Sequence, residues 1–171
     1  MYYRNPTIKN SSYSKLLDGR RPFAHADISG SFAYPKINGG VDFFSTPLGV
    51  VVCTEVSGLP YDKEVRAGAQ IYAQHIHNAG KCTGGADTPF SEAGEHFDKS
   101  GYPHPYHSGD LPSLFGNRGY AWSAVLTNRF SPEDIIGRSV IIHRSADDMT
   151  TEPSGASGER IACGIITRVR S

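Results

Sequence analysis

Three histidines and an aspartate capable of binding a metal ion lie within one stretch, residues 93–110. His104, His107 and Asp110 follow one another at intervals of three. Glycines and prolines interrupt this segment, which predicts a loop instead of a helix: Gly101, Pro103, Pro105 and Gly109. With His96, the set would supply three imidazoles and one carboxylate to a closed tetrahedral shell of the kind Zn²⁺ takes. A polar surface loop is the alternative interpretation.

A second pair of candidate ligands, His75 and His77, flanks Ile76. In a strand, residues two apart project from the same face, so the two imidazoles would lie side by side as a bidentate clamp. A His-x-His pattern alone is weak support for a metal. The loop that follows, residues 81–103, lacks periodicity, and uncommitted loops of this length are usually functional.

The composition favours one all-β domain. A chain of 171 residues and 18.5 kDa can bury a core large enough to fold without disulfides or metal ions. Its 19 glycines and 11 prolines suit short strands joined by turns better than helices. The 17 basic and 17 acidic residues cancel, so the net charge indicates neither nucleic acid nor an anionic membrane as a partner.

The chain shows no sequence signal that assigns it to a membrane or to export. No window approaches the roughly 18 apolar residues of a membrane span, and the first residues lack the apolar region of a secretory signal. We therefore expect a cytoplasmic protein if the chain as given is full-length. The three cysteines, Cys53, Cys82 and Cys163, allow at most one internal disulfide, and composition alone does not say which.

The pattern along the chain predicts an N-terminal extension over residues 1–22, with one helical turn at 14–18, followed by a single domain at 23–171. Apolar or small residues at even positions from Ala26 to Tyr34 predict the first strand. The triplet Asn38-Gly39-Gly40 predicts a turn, and residues 61–66 a polar linker. Further strands are predicted at residues 41–44, 48–56, 69–77, 120–127, 138–142 and 160–169, with a turn at 131–134 and a long loop at 144–159.

Two residues outside these motifs are interpreted as packing residues. Cys53 follows three valines, which predicts a buried thiol without a reactive role. Trp122, in a predicted strand, is interpreted as an apolar packing residue, with a binding platform as the alternative.

The succession of motifs resembles the copper, zinc superoxide dismutase family. The matching blocks are His-Ile-His at 75–77, Cys82, Ala-Gly-Glu-His-Phe at 93–97, His-Ser-Gly-Asp-Leu at 107–111, Ile-His-Arg-Ser-Ala-Asp-Asp at 142–148 and Gly-Glu-Arg-Ile-Ala-Cys-Gly at 158–164. Their order and chemistry agree along about residues 24–170, and the resemblance accounts for six of the seven histidines, leaving out His25. The resemblance implies a Greek-key barrel or sandwich of about eight strands with two long functional loops.

The same resemblance implies two metal sites. Copper would be bound by His75, His77, His96 and His143, and zinc by His96, His104, His107 and Asp110. His96 would then bridge the two metals, releasing copper and taking a proton in the reduced state. Imidazole suits both ions, and the mixed histidine and aspartate set suits the harder one.

The remaining implied roles concern residues around the metals. Asp147 would accept hydrogen bonds from one ligand of each metal. Arg160 would attract and orient the superoxide anion, and Cys82 and Cys163 would form the disulfide. The family's activity is dismutation of superoxide to oxygen and hydrogen peroxide, and some members form homodimers.

The chain departs from the family pattern at several positions. Ala73 and Gln74 stand where the pattern has glycine and an apolar residue, and Ala156 stands where it prefers Gly, Asn, His or Asp. The loop between His143 and Arg160 is short and contains no lysine. Bacterial members are generally exported, in contrast to the expectation from the first residues. A non-catalytic relative that binds metal or a partner is the rival interpretation, and an unrelated metallohydrolase on a β-scaffold is a more distant one.

Overall fold

The computed structural model describes residues 19–63 and 70–170. This part of the chain contains nine strands and two 3₁₀ turns, Ser91–Ala93 and Pro132–Ile135. The strands are β1 (Ala24–Gly30), β2 (Asn38–Thr46), β3 (Gly49–Ser57), β4 (Ile71–His77), β5 (Asp110–Phe115), β6 (Tyr120–Thr127), β7 (Ser139–His143), β8 (Arg160–Ile165) and β9 (Thr167–Arg168). The all-β prediction is confirmed.

The strands form one antiparallel sheet in the order β5-β4-β7-β8-β1-β2-β3-β6, with β9 paired to β1. Several neighbours are distant in sequence, such as β4 with β7 and β3 with β6, which is the mark of Greek-key connections. The two ends of the order, β5 and β6, are consecutive in the chain and contact each other, so the sheet curls into a nearly closed barrel.

The barrel interior is filled by the inward-facing residues of every long strand. In β1 the buried residues alternate, with Ala24, Ala26 and Ile28 facing inward. Large buried side chains from the other strands complete the core: Phe43, Val52, Tyr72, Ile76, Leu111, Leu114, Ile142 and Ile161. Because the interior is closed by side chains, the sites on its outside rest on a rigid scaffold.

The first strand ends earlier than predicted. β1 stops at Gly30, and Phe32 is fully exposed in the connection to β2. A Cβ on Gly30 would lie 1.9 Å from the carbonyl oxygen of Tyr34, so the chain turns back where only glycine fits. Phe32 and Tyr34 therefore continue the alternating sequence pattern of the strand, although the strand itself has ended at Gly30.

The predicted turn at Asn38-Gly39-Gly40 is also wrong. These residues open β2 and pair with Ser57, Val56 and Glu55 of β3. A Cβ on Gly39 would lie 2.1 Å from the carbonyl oxygen of Glu55, and one on Gly40 would lie 2.8 Å from the ring of His25. The glycines permit close approach within the sheet instead of reversing the chain.

Two packing interpretations are wrong because the outer faces of β3 and β6 are incompletely covered. Cys53 is the free cysteine of the described chain, and it lies half-buried on the outer face of β3 beside Asp42. Trp122 projects from the outer face of β6 and is 61% exposed. Neither side chain enters the barrel core.

β5 was not predicted, since Pro112 interrupts it and its two buried leucines, Leu111 and Leu114, are three residues apart instead of two. The pairing of β4 with β5 shifts register between Tyr72 and Gln74, opposite the proline. A bulge of this kind tolerates a residue without an amide hydrogen.

The helical turn predicted at 14–18 and part of the predicted linker at 61–66 lie outside the described residues. The division into an extension at 1–22 and a domain at 23–171 stays a prediction. Among the helical segments of the described chain, none is long and apolar enough to cross a membrane.

Candidate metal centre

Three separate segments bring four histidines together outside the barrel. β4 contributes His75 and His77, both fully buried, while Gln74 and Ile76 face the opposite side. β7 pairs with β4 and contributes His143 at its last position. His96 arrives from the long loop through an isolated bridge with His77. One nitrogen of each ring lies within 4.8 Å of the others, so all four can bind one ion.

A second cluster shares His96 with the first. His96, His104, His107 and Asp110 each offer one ligand atom, and these atoms also lie within 4.8 Å of one another. Asp110 is the first residue of β5, which fixes this end of the loop to the sheet. The structure thus brings together all eight ligand positions predicted from the sequence, with His96 counted in both sets.

Hydrogen bonds set which ring nitrogen of each histidine faces its cluster. Nδ1 of His77 donates to the carbonyl oxygen of Gly94 at 2.9 Å, and Nδ1 of His143 lies 3.2 Å from the carbonyl oxygen of Gly158. Nε2 of His75 donates to Asp147 Oδ2 at 2.8 Å. In each case the proton sits on the outer nitrogen, which leaves the inner nitrogen with a free lone pair.

Asp147 links the two clusters. Its second oxygen, Oδ1, accepts a hydrogen bond from Nε2 of His104 at 2.8 Å, so one carboxylate orients a histidine from each set. A Cβ on Gly155 would lie 1.9 Å from Asp147 Oδ1 and 2.7 Å from His104 Nε2. The glycine at 155 therefore gives these two side chains room to meet.

Six buried ring nitrogens in the described chain have no hydrogen-bond partner. They are Nδ1 of His75, His104 and His107, and Nε2 of His77, His96 and His143. The Nδ1 atoms of His104 and His107 lie 3.1 and 3.2 Å from Asp110 Oδ2, but their directions do not allow hydrogen bonds. Unpartnered buried nitrogens are rare, and metal ions at both clusters would satisfy all six. The residues therefore fit the two implied metals.

Burial keeps the histidines of the first cluster neutral. It lowers the pKa of His75 to about 4 and that of His143 to about 3, and it lowers the pKa of His77 well below its ordinary value. A neutral imidazole is the form that binds a metal. The cluster thus offers unprotonated ligands at neutral pH.

The two carboxylates at the clusters are held ionised. Burial raises the pKa of Asp147, but hydrogen bonds from His75, the Met149 amide and His104 outweigh this effect and lower it. Burial also raises the pKa of Asp110, but a hydrogen bond from His96 helps to outweigh this effect, so the pKa of Asp110 is lowered as well. Negative charge at Asp110 suits a divalent cation in the second cluster.

Arg160 lies at the edge of the first cluster. Its guanidinium donates from Nη1 to the carbonyl oxygen of Phe90 at 2.8 Å and from Nη2 to that of Gly94 at 2.7 Å. The same Gly94 oxygen accepts from His77, so the cation is tied to a histidine of this cluster through one atom. Burial lowers the pKa of Arg160, although a guanidinium stays protonated at neutral pH.

A disulfide joins the long loop to the sheet. Cys82 in the loop is bonded to Cys163 in β8, as the resemblance implied. Buried Ala93 and Ile141 pack with Cys163, and Cys82 and Phe90 pack against this small cluster. The bond therefore anchors the segment that carries both His96 and the carbonyl partners of Arg160.

Part of the site has no side-chain signal in the sequence. The carbonyl groups of Gly94 and Gly158 orient two histidines, and both glycines have positive φ values of 76° and 74°. Ala156 also has a positive φ of 48°, in agreement with the family's preference for Gly, Asn, His or Asp at this position. Only the glycine-rich composition of the loop could have indicated these backbone roles.

The fold and the two clusters define a Greek-key barrel protein with a histidine site for two metal ions. A family model described as copper/zinc superoxide dismutase matches residues 37–166, well over half of the chain. The chain belongs to this family.

Curated relatives cover nearly the whole sequence. The chain is 35% identical to a Cu-Zn superoxide dismutase from Deinococcus radiodurans over 92% of its own length and 91% of the relative's. It is 33% identical to Cu-Zn superoxide dismutase 1 from Aquifex aeolicus over 83% and 86% of the two chains. A solved structure of a Cu/Zn superoxide dismutase from Brucella abortus has the same fold, with a TM-score of 0.70, 24% identity and coverage of 83% of this chain and 98% of that one.

Proposed function

We propose that the protein is a copper/zinc superoxide dismutase, converting two superoxide anions and two protons to oxygen and hydrogen peroxide. The observation that carries this proposal is the position of His96, whose buried ring belongs to both ligand clusters. Bound copper would supply the one-electron redox chemistry. The residues of the chain then have to bind the metals, guide the anion and deliver a proton.

The unpartnered nitrogens support a ligand assignment. Copper would be held by Nδ1 of His75 and by Nε2 of His77, His96 and His143. Zinc would be held by Nδ1 of His104 and His107, by Asp110 and by the other ring nitrogen of His96. That nitrogen, His96 Nδ1, lies 2.8 Å from Asp110 Oδ1. Mixed histidine and carboxylate ligation suits zinc, and four imidazoles suit copper.

His96 is the group that holds and moves the proton. Its Nε2 atom is buried and has no hydrogen-bond partner in the described chain. A proton taken up at this atom is protected from solvent and faces the ligands on β4 and β7. Asp110 fixes the ring from the other side, so that proton transfer does not require the side chain to rotate.

Arg160 attracts and orients the substrate anion. Two carbonyl oxygens hold its guanidinium in place, and its bond to the Gly94 oxygen sets it next to His77. A fixed cation at this point gives superoxide a favourable final position.

Superoxide consumption by the protein loaded with zinc and copper tests the proposal. The wild type should consume superoxide in a single fast phase, and His96→Gln should lose most of this activity while retaining copper on His75, His77 and His143. His25→Gln is the matched control, because His25 lies outside both clusters on β1, and it should keep wild-type activity. An inactive, fully loaded wild type would instead support the non-catalytic, metal-binding interpretation.

We also propose that two copies of the chain pair through the outer face of β6. This face exposes Tyr120, Trp122 and Leu126, of which Trp122 is 61% exposed. Clustered large apolar side chains at a surface are typical of protein contacts. Light scattering after size exclusion should give twice the chain mass for the wild type and a single chain mass for Trp122→Glu.

A further inference from the structure

Arg129 is a charged residue that none of the matching family blocks contains. It follows β6 and precedes the 3₁₀ turn at Pro132–Ile135. Its backbone amide donates to Thr127 Oγ1 at 3.2 Å, and the next residue, Phe130, is buried in the barrel core. Arg129 is thus held on both sides by the scaffold, although its own side chain is directed away from the core towards the ligand loop.

The side chain of Arg129 reaches the zinc ligand loop. Its Nη1 atom lies 2.9 Å from the carbonyl oxygen of Pro105, 3.3 Å from that of His107 and 3.2 Å from that of Asp110. Three carbonyl oxygens directed at one point would repel one another without a cation between them. A guanidinium is suited to this position because it stays charged and has several donors in a fixed plane.

These carbonyls belong to the segment that carries the zinc ligands. His107 and Asp110 supply both a ligand and a carbonyl for Arg129, and Pro105 directly follows the ligand His104. Residues 98–109 contain no strand, and several of their hydrogen bonds are local, such as Tyr106 N to Pro103 O. Contacts from the barrel therefore have to set the position of this segment.

We propose that Arg129 is a positioning residue for the zinc site, binding the backbone carbonyls of the ligands His107 and Asp110 and of Pro105, which follows the ligand His104, without contacting the metal. By drawing these carbonyls together, it holds Nδ1 of His104, Nδ1 of His107 and the Asp110 carboxylate within reach of one ion. The inference rests on the proposed zinc assignment of this cluster. Arg129 should therefore affect how firmly zinc is retained and the geometry of its ligands, and not the number of ligands, because the guanidinium supplies none.

The rate of zinc release separates this role from a general effect of charge. Wild-type protein and variants would be loaded with zinc and mixed with excess chromophoric chelator. Loss of residues that orient ligands lowers metal affinity by about 10- to 100-fold, so Arg129→Gln should release zinc at least roughly tenfold faster. Arg118→Gln is the matched control, since Arg118 lies in the β5–β6 turn, away from the ligand loop, and the substitution removes the same charge.

Cobalt in place of zinc reports the geometry directly. The wild type should show the intense visible bands of tetrahedral Co²⁺, and Arg129→Gln should show weaker, shifted bands. Arg129→Lys keeps a cation with three donors and should recover most of both the spectrum and the slow release. If Arg129→Gln does not fold, Arg129→Met, which keeps an unbranched side chain without the cation, carries the test against wild type and Arg118→Gln.

Unchanged zinc release and an unchanged cobalt spectrum in a folded Arg129 variant that lacks the cation would overturn the inference. Equal acceleration by Arg118→Gln would overturn it too, because the effect would then come from net charge. A wild type that binds neither zinc nor cobalt would contradict the zinc assignment itself, which is a separate outcome from a wild type and variant that bind equally well.

Discussion

At the scale of single residues, four of the six candidate ligand histidines share one arrangement, and His107 has a similar one. His75, His77, His104 and His143 each use one ring nitrogen for a carboxylate or a carbonyl and leave the other free. His107 has a free Nδ1 and lies at the rim of the second cluster. His96 differs, because both of its nitrogens are directed towards clusters. The tautomers of His75, His77, His104 and His143 are therefore fixed by the protein before any metal binds.

Replacing Arg160 should separate substrate attraction from metal binding. Arg160→Gln should lower the second-order rate of superoxide consumption by roughly tenfold or more, because steering by a fixed charge accelerates association on this scale. Copper content should stay the same, since the side chain is not a ligand. The rate of the variant should also depend less on salt, because screening acts on the charge that was removed. Equal losses of copper and of rate would contradict the assigned role.

The ligand positions could be predicted from the sequence because their residue types and spacing carry the chemistry. His75 and His77 project together from any regular strand, and Asp110 closes the pattern of His104 and His107. The identities of Cys53 and Trp122 could not fix their burial, since both faces of a strand accept apolar residues when a neighbour covers them. The contacts of Arg129 with backbone carbonyls had no motif at all.

At the scale of elements, the two faces of β4 have different tasks. The outer face presents the clamp, whereas Gln74 is buried in the barrel wall, where its Oε1 accepts from Thr54 Oγ1 at 3.0 Å and its Nε2 donates to the Pro112 carbonyl at 3.1 Å. Gln74, which stands where the family pattern has an apolar residue, thus has a hydrogen-bond partner for each end of its amide. The amide links β4 to β3 and β5 behind His75 and His77.

Substituting Gln74 should destabilise the barrel through these partners. Gln74→Leu leaves the buried Thr54 hydroxyl without its acceptor, so the metal-free protein should lose about 1–3 kcal/mol of unfolding free energy in urea. Adding Thr54→Val removes the orphaned hydroxyl and should restore part of this loss. A double variant that is no more stable than the sum of the two single changes predicts would show that the pair is not coupled in this way.

The disulfide should stabilise the ligand loop more than the barrel. Cys82 anchors a segment that contains a single 3₁₀ turn, whereas Cys163 lies in a strand paired on both sides. In Cys82→Ser, hydrogen exchange should accelerate across residues 82–96 while β3 and β6 stay protected, because loops open locally at lower free energy than core strands. Cys53→Ser is the matched control and should leave both regions unchanged. Uniform acceleration across the barrel would contradict this expectation.

The element boundaries show where a local pattern stops being informative. Asn38-Gly39-Gly40 has the composition of a turn, yet the sheet uses these glycines for close contacts with β1 and β3. Pro112 hides the strand pattern of β5, which carries a bulge where it pairs with β4. In both cases the strand that explains the feature is distant in sequence, so a short stretch of sequence could not have predicted it.

At the scale of the whole molecule, the buried histidines make the stability of the metal-free protein depend on pH. Burial lowers the pKa of His75 to about 4 and of His143 to about 3, whereas an unfolded imidazole has a pKa of about 6.5. Below pH 6.5 these two imidazoles take up protons in the unfolded chain, whereas in the folded chain they stay neutral down to their lowered pKa values. Unfolding free energy should therefore fall between about pH 6.5 and 4, by about 1.4 kcal/mol per pH unit for each such histidine.

His25 opposes this trend and provides a control. Burial lowers its pKa, but hydrogen bonds with Asp42 and Asp27 outweigh this and raise the pKa of His25. Its contribution to stability is therefore fully present below the unfolded pKa and is lost as pH rises through the folded one. Urea unfolding at pH 7, 6 and 5 should show a steeper acid loss for His25→Gln than for wild type. A profile that stays flat from pH 7 to 5 would contradict the assigned shifts.

The sharing of His96 between the two metals is the central claim, and X-ray absorption at the copper edge tests it most directly. In protein loaded with both metals, we predict four nitrogen ligands around oxidised copper, from His75, His77, His96 and His143. After reduction we predict three, since His96 Nε2 then holds a proton. The same copper coordination number in the oxidised and reduced protein would contradict the shared histidine.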